Sequence, residues 1–237
     1  MPRLSWLFQP SNSIQEARKN ISSHYDVSNE LFAAFLSPDM NYSCAHWAGN
    51  QVESLEEAQN RKVQNLLRKA QISSSHHVLD IGCGWGDLAI KAVQTTGCQV
   101  TGLTLSDKQK SLADQRIKLA GLEDRVKILL CDYRNISGPD DNGGFYDRVI
   151  SVGMFEHVGP NYLDQYFATI SKLLHPAHGL MVVDGITMTK KVRIRSSFLN
   201  CHPVHQLTCL SSAPRDQIQR PDLHWPLRLP WGLPTNH

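Results

Sequence analysis

The stretch "DIGCGWGDL", Asp80–Leu88, sets glycines at positions 82, 84 and 86 directly after "HHVLDI" and directly before "LAIKAV". Glycines at alternate positions between a strand-like run and a helix-like run permit a tight turn and close approach of a ligand to the backbone. The start of the following helix adds unpaired N–H groups and a partial positive charge. From residue 77 the same unit repeats. The predicted strands are "HVLDI", "CQVTGLTL", "RVKILL", "YDRVISV" and "GLMVVDGI". Between them lie predicted helices over Asp87–Thr95, about Ser106–Ala120 and "NYLDQYFATISKLL". Short apolar runs alternating with amphipathic helices predict an α/β fold, a doubly wound, mostly parallel, Rossmann-like sheet. Ligands of such sheets sit beyond the carboxyl ends of the strands. Asp80–Gly82, Thr104, Asp132 and Gly153–Glu156 all fall there.

Upstream, "IQEARKNI" reads as a short helix and "NELFAAFL" as another, stopped by Ser37-Pro38. In "ESLEEAQNRKVQNLLRKA", Ser54 and Glu57 form a capping box, and Leu55, Ala58, Val63, Leu66, Leu67 and Ala70 recur at helical spacing. Downstream the pattern fails after about Ser197. Six of the twelve prolines lie between Pro203 and Pro234, so an irregular or disordered tail is expected over 188–237, without the last antiparallel strands of such a sheet. Residues 1–22 read as an extension and 23–187 as the ligand-binding domain with an N-terminal helical cap. In "CHPVHQLTC", Cys201, His202, His205 and Cys209 match no usual zinc spacing and read as a chance cluster; no metal site is predicted.

A formal charge of +2 is too mild for a nucleic-acid partner, and no window holds the ~18 to 20 consecutive apolar residues of a spanning helix. With no secretory apolar run at the start, a cytoplasmic protein is expected, soluble or attached at a membrane surface. The six cysteines, with no C-x-x-C pair, read as free thiols.

The spacing G-x-G-x-G, with Asp80 two positions before the first glycine, argues against a dinucleotide. A carboxylate there repels a pyrophosphate and accepts hydrogen bonds from an ammonium group. The next strand ends in "GLTLS" without the ribose-binding acid usual for nicotinamide cofactors. S-adenosylmethionine (SAM), with an amino-acid head, sulfonium, ribose and adenine but no phosphate, suits the loop better. The plainer alternative is a structural glycine turn in another α/β protein.

With these residues in view, the chain resembles the cyclopropane-fatty-acyl-phospholipid synthases, a family of SAM-dependent class I methyltransferases that includes the mycolic acid cyclopropane synthases and is related to coclaurine N-methyltransferases. The resemblance runs from about Asn20 to Ile186. It rests on "HYDVSNELF" (24–32), "MNYSCAHW" (40–47), "VLDIGCGWGDL" (78–88), "GLTLSDKQ" (102–109), "CDYR" (131–134) and "SVGMFEHVG" (151–159). It implies that Tyr42 and Ser43 touch the methionine portion of SAM, and that Asp80, Gly82, Gly84, Trp85 and Gly86 form the turn around methionine and ribose. Thr104, Leu105 and Gln109 would hold ribose and adenine, with Asp132 on the adenine amino group. Cys44 and Glu156 match residues that help hold bicarbonate, the general base of the family.

The implied reaction adds the SAM methyl to a double bond of an unsaturated phospholipid acyl chain at a membrane surface, and loss of a proton closes a cyclopropane. A homodimer is left open. Plainer readings stand beside these roles. Gln109 also fits a Ser-x-x-Gln capping box, Cys44 a small buried hydrophobe, and Trp47 and Trp85 core residues. "NELFAAFL" and "GMF" read either as acyl-chain walls or as core, and His157 as structural. The chain departs from the family at Asp184, where a histidine is common, and a carboxylate there opposes an anion. After Ile186 the family's C-terminal region, with its later tyrosine, is not recognisable, which suggests a truncated or altered C-terminus. The other readings are therefore a small-molecule N-methyltransferase, with Asp184 attracting an amine, and an inactive SAM-binding fragment.

Overall fold

The computed structural model describes residues 12–25, 28–49, 52–139 and 143–186 and the strand 207–211. Five parallel strands, β1 (His77–Ile81), β2 (Gln99–Thr104), β3 (Val126–Leu130), β4 (Arg148–Val152) and β5 (Leu180–Asp184), form a sheet with β6 (Leu207–Ser211) at its edge, in the order β3-β2-β1-β4-β5-β6. The order reverses between β1 and β4, which opens a crevice beyond their carboxyl ends. The parallel, doubly wound prediction is met. β6 amends it: within the tail read as irregular, Leu207–Ser211 pairs antiparallel with β5, Leu207 opposite Asp184. The five residues fall in the proline-free window between Pro203 and Pro214, where no ladder N–H is lost. Of the cluster read as chance, Cys201, His202 and His205 lie outside the described residues.

Both sheet faces are covered, and strand alternation divides the core in two. Val78, Val100, Ile150 and Val182 face α3 (Leu55–Ala70), α4 (Asp87–Thr96) and α5 (Asp107–Leu119). Leu79, Ile81, Val149, Met181 and Val183 face α6 (Leu163–Leu173) together with Tyr133 and Tyr146. Asp80 and Asp184, each two residues on from Val78 and Val182, therefore project on the α3 side.

The predicted capping box of α3 is complete. Ser54 Oγ accepts from the Glu57 N–H, and the Glu57 carboxylate accepts from the Ser54 N–H at 2.8 Å. The other end of α3 is tied by Arg148 at the foot of β4. Its buried guanidinium donates to the carbonyls of Ala70 (2.6 Å), Asp147 (2.7 Å), His178 (3.0 Å) and Gln71 (3.3 Å). One side chain thus satisfies carbonyls of a helix end, a strand start and the turn into β5.

Two shorter helices complete the described chain, α1 (Ile14–Tyr25) and α2 (Asn29–Ala33). In α2, Phe32 is buried against Met40 and Trp85, while Leu31 and nearby Phe35 are about half exposed. No described helix is long and apolar enough to cross a membrane.

Candidate cofactor site

A cavity of about 980 Å³ opens at the carboxyl ends of β1, β2 and β4. Its size lies at the upper end of the roughly 300–1,000 Å³ usual for ligand pockets. Its wall brings together Tyr42, Ser43, Cys44, Asp80, Gly82, Gly84, Trp85, Thr104, Leu105, Gln109, Asp132 and Glu156. Of the residues that the resemblance assigned to SAM or to the base, Gly86 alone is not on that wall.

The glycine turn is built from left-handed backbone, with φ of +82° at Gly82, +55° at Gly84 and +82° at Gly86. The N–H groups of Gly82 and Cys83 both donate to the Leu103 carbonyl at the end of β2, which fixes the turn over the sheet. A Cβ at Gly84 would meet nothing within 4 Å, so its bare face looks into open cavity. One at Gly86 would lie 3.2 Å from Ala113 Cβ. Gly86 therefore serves the approach of α4 to α5 rather than the cavity. Trp85 is 2% exposed, donates its indole N–H to Asn29 Oδ1 (2.8 Å), and packs in the Phe32–Met40 cluster while also lining the cavity.

Asp80, next to last in β1, is fully buried. Its Oδ2 has no hydrogen-bond partner, and desolvation pushes its pKa up to about 7. An orphaned carboxylate oxygen in a cavity wall is costly in the free protein and calls for a cationic or donor group. At the end of β2, Thr104 Oγ1 donates to Gln109 Oε1 (2.6 Å) while Ser106 Oγ accepts from the Gln109 N–H (3.1 Å). The Ser106 N–H goes to Thr104 instead, at 3.2 Å. The capping box is half formed, and the Gln109 carboxamide is held at the cavity. Asp132 is buried against Arg134, which donates Nε to Oδ1 and Nη2 to Oδ2, each at 2.7 Å. That pairing fixes the orientation of the carboxylate.

The far wall comes from the 40–48 loop and the β4 and β5 ends. Tyr42 is braced edge-on by Phe32 (ring centroids 5.4 Å apart) and Tyr25 (6.0 Å). Cys44 is exposed at the cavity rather than buried, with Sγ 3.7 Å from the Ala45 carbonyl. Glu156 sits in the 3-10 turn Phe155–His157. Its Oε1 accepts from the Ile186 N–H (3.2 Å), and its buried Oε2 has no partner. Asp184 lies 3.8 Å from His46 Nε2, and burial pushes both toward their neutral forms, the acid up and the imidazole down.

Several sequence readings change here. Neither "NELFAAFL" nor Phe155 lines the cavity; α2 packs behind Trp85, and Met154 alone of "MF" reaches the wall. Trp47 is 55% exposed and neither core nor cavity wall. His157, read as structural, is exposed and on the wall. The helix read at "IQEARKNI" is present as α1, but the sequence reading missed that its Ala17, Asn20, Ile21 and Tyr25 form part of the wall, and it missed Lys62. The signal for Lys62 was present: with Ala58, Leu66 and Ala70 it forms an i, i+4 series, placing a lysine on the buried stripe of α3.

The family profile described as mycolic acid cyclopropane synthetase matches residues 12–204. The chain belongs to that family. The match extends the resemblance at both ends, past Asn20 and past Ile186. Among its relatives, the tuberculostearic acid methyltransferase UfaA1 of Mycobacterium tuberculosis is 43% identical over 192 residues, covering 78% of this chain and 42% of the relative. The cyclopropane-fatty-acyl-phospholipid synthase of Escherichia coli K12 is 39% identical over 180 residues, covering 76% and 42%. This family member thus spans about two-fifths of the length of these curated relatives. The crystal structure of mycolic acid cyclopropane synthase CmaA1 complexed with SAH and CTAB superposes with a TM-score of 0.64 at 32% identity, over 70% of this chain and 55% of that one.

Proposed function

We propose that the chain is a SAM-dependent methyltransferase that acts on a double bond of an unsaturated phospholipid acyl chain, of the cyclopropane-forming kind. The observation that carries this reading is the unpartnered, fully buried Asp80 oxygen beneath a glycine turn whose middle glycine faces open space. Such a wall suits a ligand with an ammonium group and no phosphate. In this assignment Tyr42, Ser43, Asp80, Gly82 and Gly84 take the amino-acid end of SAM, Thr104, Leu105 and Gln109 the ribose and adenine, and Asp132 the adenine amino group.

Bound SAM supplies the methyl group to the alkene carbon. The electron pair of the alkene would form the new C–C bond as the sulfonium–methyl bond breaks and SAH leaves, and loss of one proton from the added methyl to a base would close the ring. The chain's part is to exclude water from the cationic stage and to place a proton acceptor. Met154, Val158 and Ile186 give that end of the cavity apolar surface. The orphaned Oε2 of Glu156 is an acceptor that the hydroxyl of bicarbonate satisfies, so Glu156 and Cys44 would hold that base. The N-methyltransferase reading needs Asp184 for a substrate amine. His46 lies beside that carboxylate and the Lys62 charge acts on it, so its attraction is already partly met.

The test is the lipid composition of cells that express the chain. Mass spectrometry is expected to show a gain of one methylene on monounsaturated acyl chains. Retained SAM binding with no such gain contradicts the lipid reading. Glu156→Gln is expected to reduce product formation at least 100-fold while leaving the SAM Kd within about twofold, as for loss of a group acting after cofactor binding. A parallel fall in SAM affinity would assign Glu156 to the cofactor instead.

The two glycines separate function from packing. Gly84→Ala places a methyl in the open face of the turn and should weaken SAM binding about tenfold or more, read by calorimetry. Gly86→Ala adds left-handed strain and crowds Ala113, and should lower stability by about 1–2 kcal/mol with a smaller change in SAM affinity.

A further inference from the structure

Arg116, on α5, does not line the cavity, yet its guanidinium reaches behind two parts of the cavity wall. Its Nη1 donates to the carbonyl of Trp85 (2.9 Å) in the glycine turn and to that of Asp39 (3.0 Å) in the loop before Tyr42. One nitrogen thus ties the two backbones together. Its Nη2 donates to Asp87 Oδ1 (3.4 Å) at the start of α4. The Asp87 carboxylate continues the bridge, since Oδ2 accepts from Asn41 Nδ2 (2.8 Å) and pairs with Lys91 (2.9 Å). The planar fork of an arginine can meet two carbonyls and a carboxylate at once, which the single nitrogen of a lysine cannot.

Between the two gripped residues, Asp39 and Asn41, lies Met40, whose φ is +59°. Among the described residues only Gln71 is another non-glycine in that region, and it caps the end of α3, where left-handed backbone is usual. Met40 has no such place, and an L side chain there crowds its own backbone. Strain of this kind persists where the surroundings over-determine it, and it gathers at functional sites. The residues that follow directly, Tyr42, Ser43 and Cys44, line the cavity.

We propose that Arg116 is a positioning residue for the cofactor site: by drawing the Asp39 and Trp85 carbonyls to one guanidinium, it holds Met40 left-handed and sets the loop that presents Tyr42 and Ser43. The proposal rests on the reading of the cavity as a SAM site and names what shapes that site before the ligand arrives. Gln59 holds the other flank of the loop, its Nε2 donating to the carbonyls of Asn41 (3.0 Å) and Ser43 (2.8 Å). Loss of Arg116 therefore frees one flank and leaves the loop attached.

The experiment pairs hydrogen–deuterium exchange of the ligand-free chain with SAM calorimetry, on the wild type, Arg116→Met and Arg116→Lys. In Arg116→Met, peptides covering 38–43 are expected to exchange about tenfold faster while β1 and β4 keep their rates. SAM should bind about tenfold more weakly, as for a site that is formed only part of the time, although no group on the wall has been changed. Arg116→Lys keeps the charge beside Asp87 and should show both changes at smaller size. Thermal melting shows whether each variant is folded. Faster exchange throughout the sheet marks a merely structural role and overturns the proposal. So does unchanged SAM affinity in Arg116→Met, and so does full affinity in Arg116→Lys, which would mean that charge alone suffices. A wild-type chain that binds no SAM fails the SAM reading instead, and the exchange at 38–43 still reports whether Arg116 holds the loop.

Discussion

Asp80→Asn is expected to weaken SAM binding by about 10- to 100-fold and, at the same time, to stabilise the free protein at neutral pH. Both effects follow from one oxygen. In the free chain the Asp80 carboxyl is fully buried, one oxygen is unpartnered, and desolvation raises its pKa from 3.8 to about 7. The unfolded chain therefore releases this proton near pH 4 while the folded chain keeps it to about pH 7. Between those values the unfolded state binds fewer protons, so stability falls as pH rises, and the full penalty is present above pH 7. At ~1.4 kcal/mol per unit the upper bound is ~4 kcal/mol. The asparagine has no charge to desolvate and escapes that penalty. Denaturant melts at pH 8 should show the variant the more stable by about 2–4 kcal/mol, with the difference vanishing near pH 4. A ligand ammonium stabilises the ionised form, so SAM affinity of the wild type should rise by up to about tenfold per unit to pH 7 and then level off. An unchanged melt at pH 8 together with unchanged affinity would remove Asp80 from the site.

Arg148→Met should have the largest effect on the fold. The methionine matches the length of the arginine stem and donates nothing, so the carbonyls of Ala70, Gln71 and His178 lose the guanidinium, while that of Asp147 keeps the Leu180 N–H at 3.1 Å. Leaving such groups unpaired inside the protein costs about 1–3 kcal/mol each, partly relieved by water at the sheet's foot. A loss of about 3–5 kcal/mol is expected, which lowers the Tm by about 10 °C in a domain of this size. Calorimetry reads it directly. A shift of less than about 2 °C would mean that α3 and β4 are held by apolar packing alone. The site lies at the opposite end of the strands, so any variant protein that remains folded should keep its SAM affinity.

The sheet was legible because its signals are local. Each strand is a short apolar run, each helix has a period, and the turn at 82–86 carries glycines where left-handed backbone demands them. Ser54 with Glu57 announced the start of α3 for the same reason. What escaped was decided at long range. β6 has no period of its own, and it forms where the open edge of β5 accepts it. "NELFAAFL" has the composition of a lipid wall, but its position behind Trp85 comes from the tertiary path of the chain. Gly86 looked like its two neighbours in the turn and differs from them only because Ala113 stands opposite. Lys62 lay on a readable apolar stripe, but only the fold shows that Ser43 waits at its end and that no described carboxylate pairs with it. The cavity wall given by α1 had no sequence signal, since polar residues such as Asn20 mark it no differently from a solvent-facing helix.

Every role proposed for the cavity requires that it be a SAM site. Calorimetric titration of the purified chain with SAM, with SAH as competitor, tests that directly. That assignment predicts saturable binding at one site per chain, displaced by SAH and weakened at least tenfold in Asp80→Asn. No heat and no thermal stabilisation at high SAM concentration, from a chain that melts cooperatively, would contradict it.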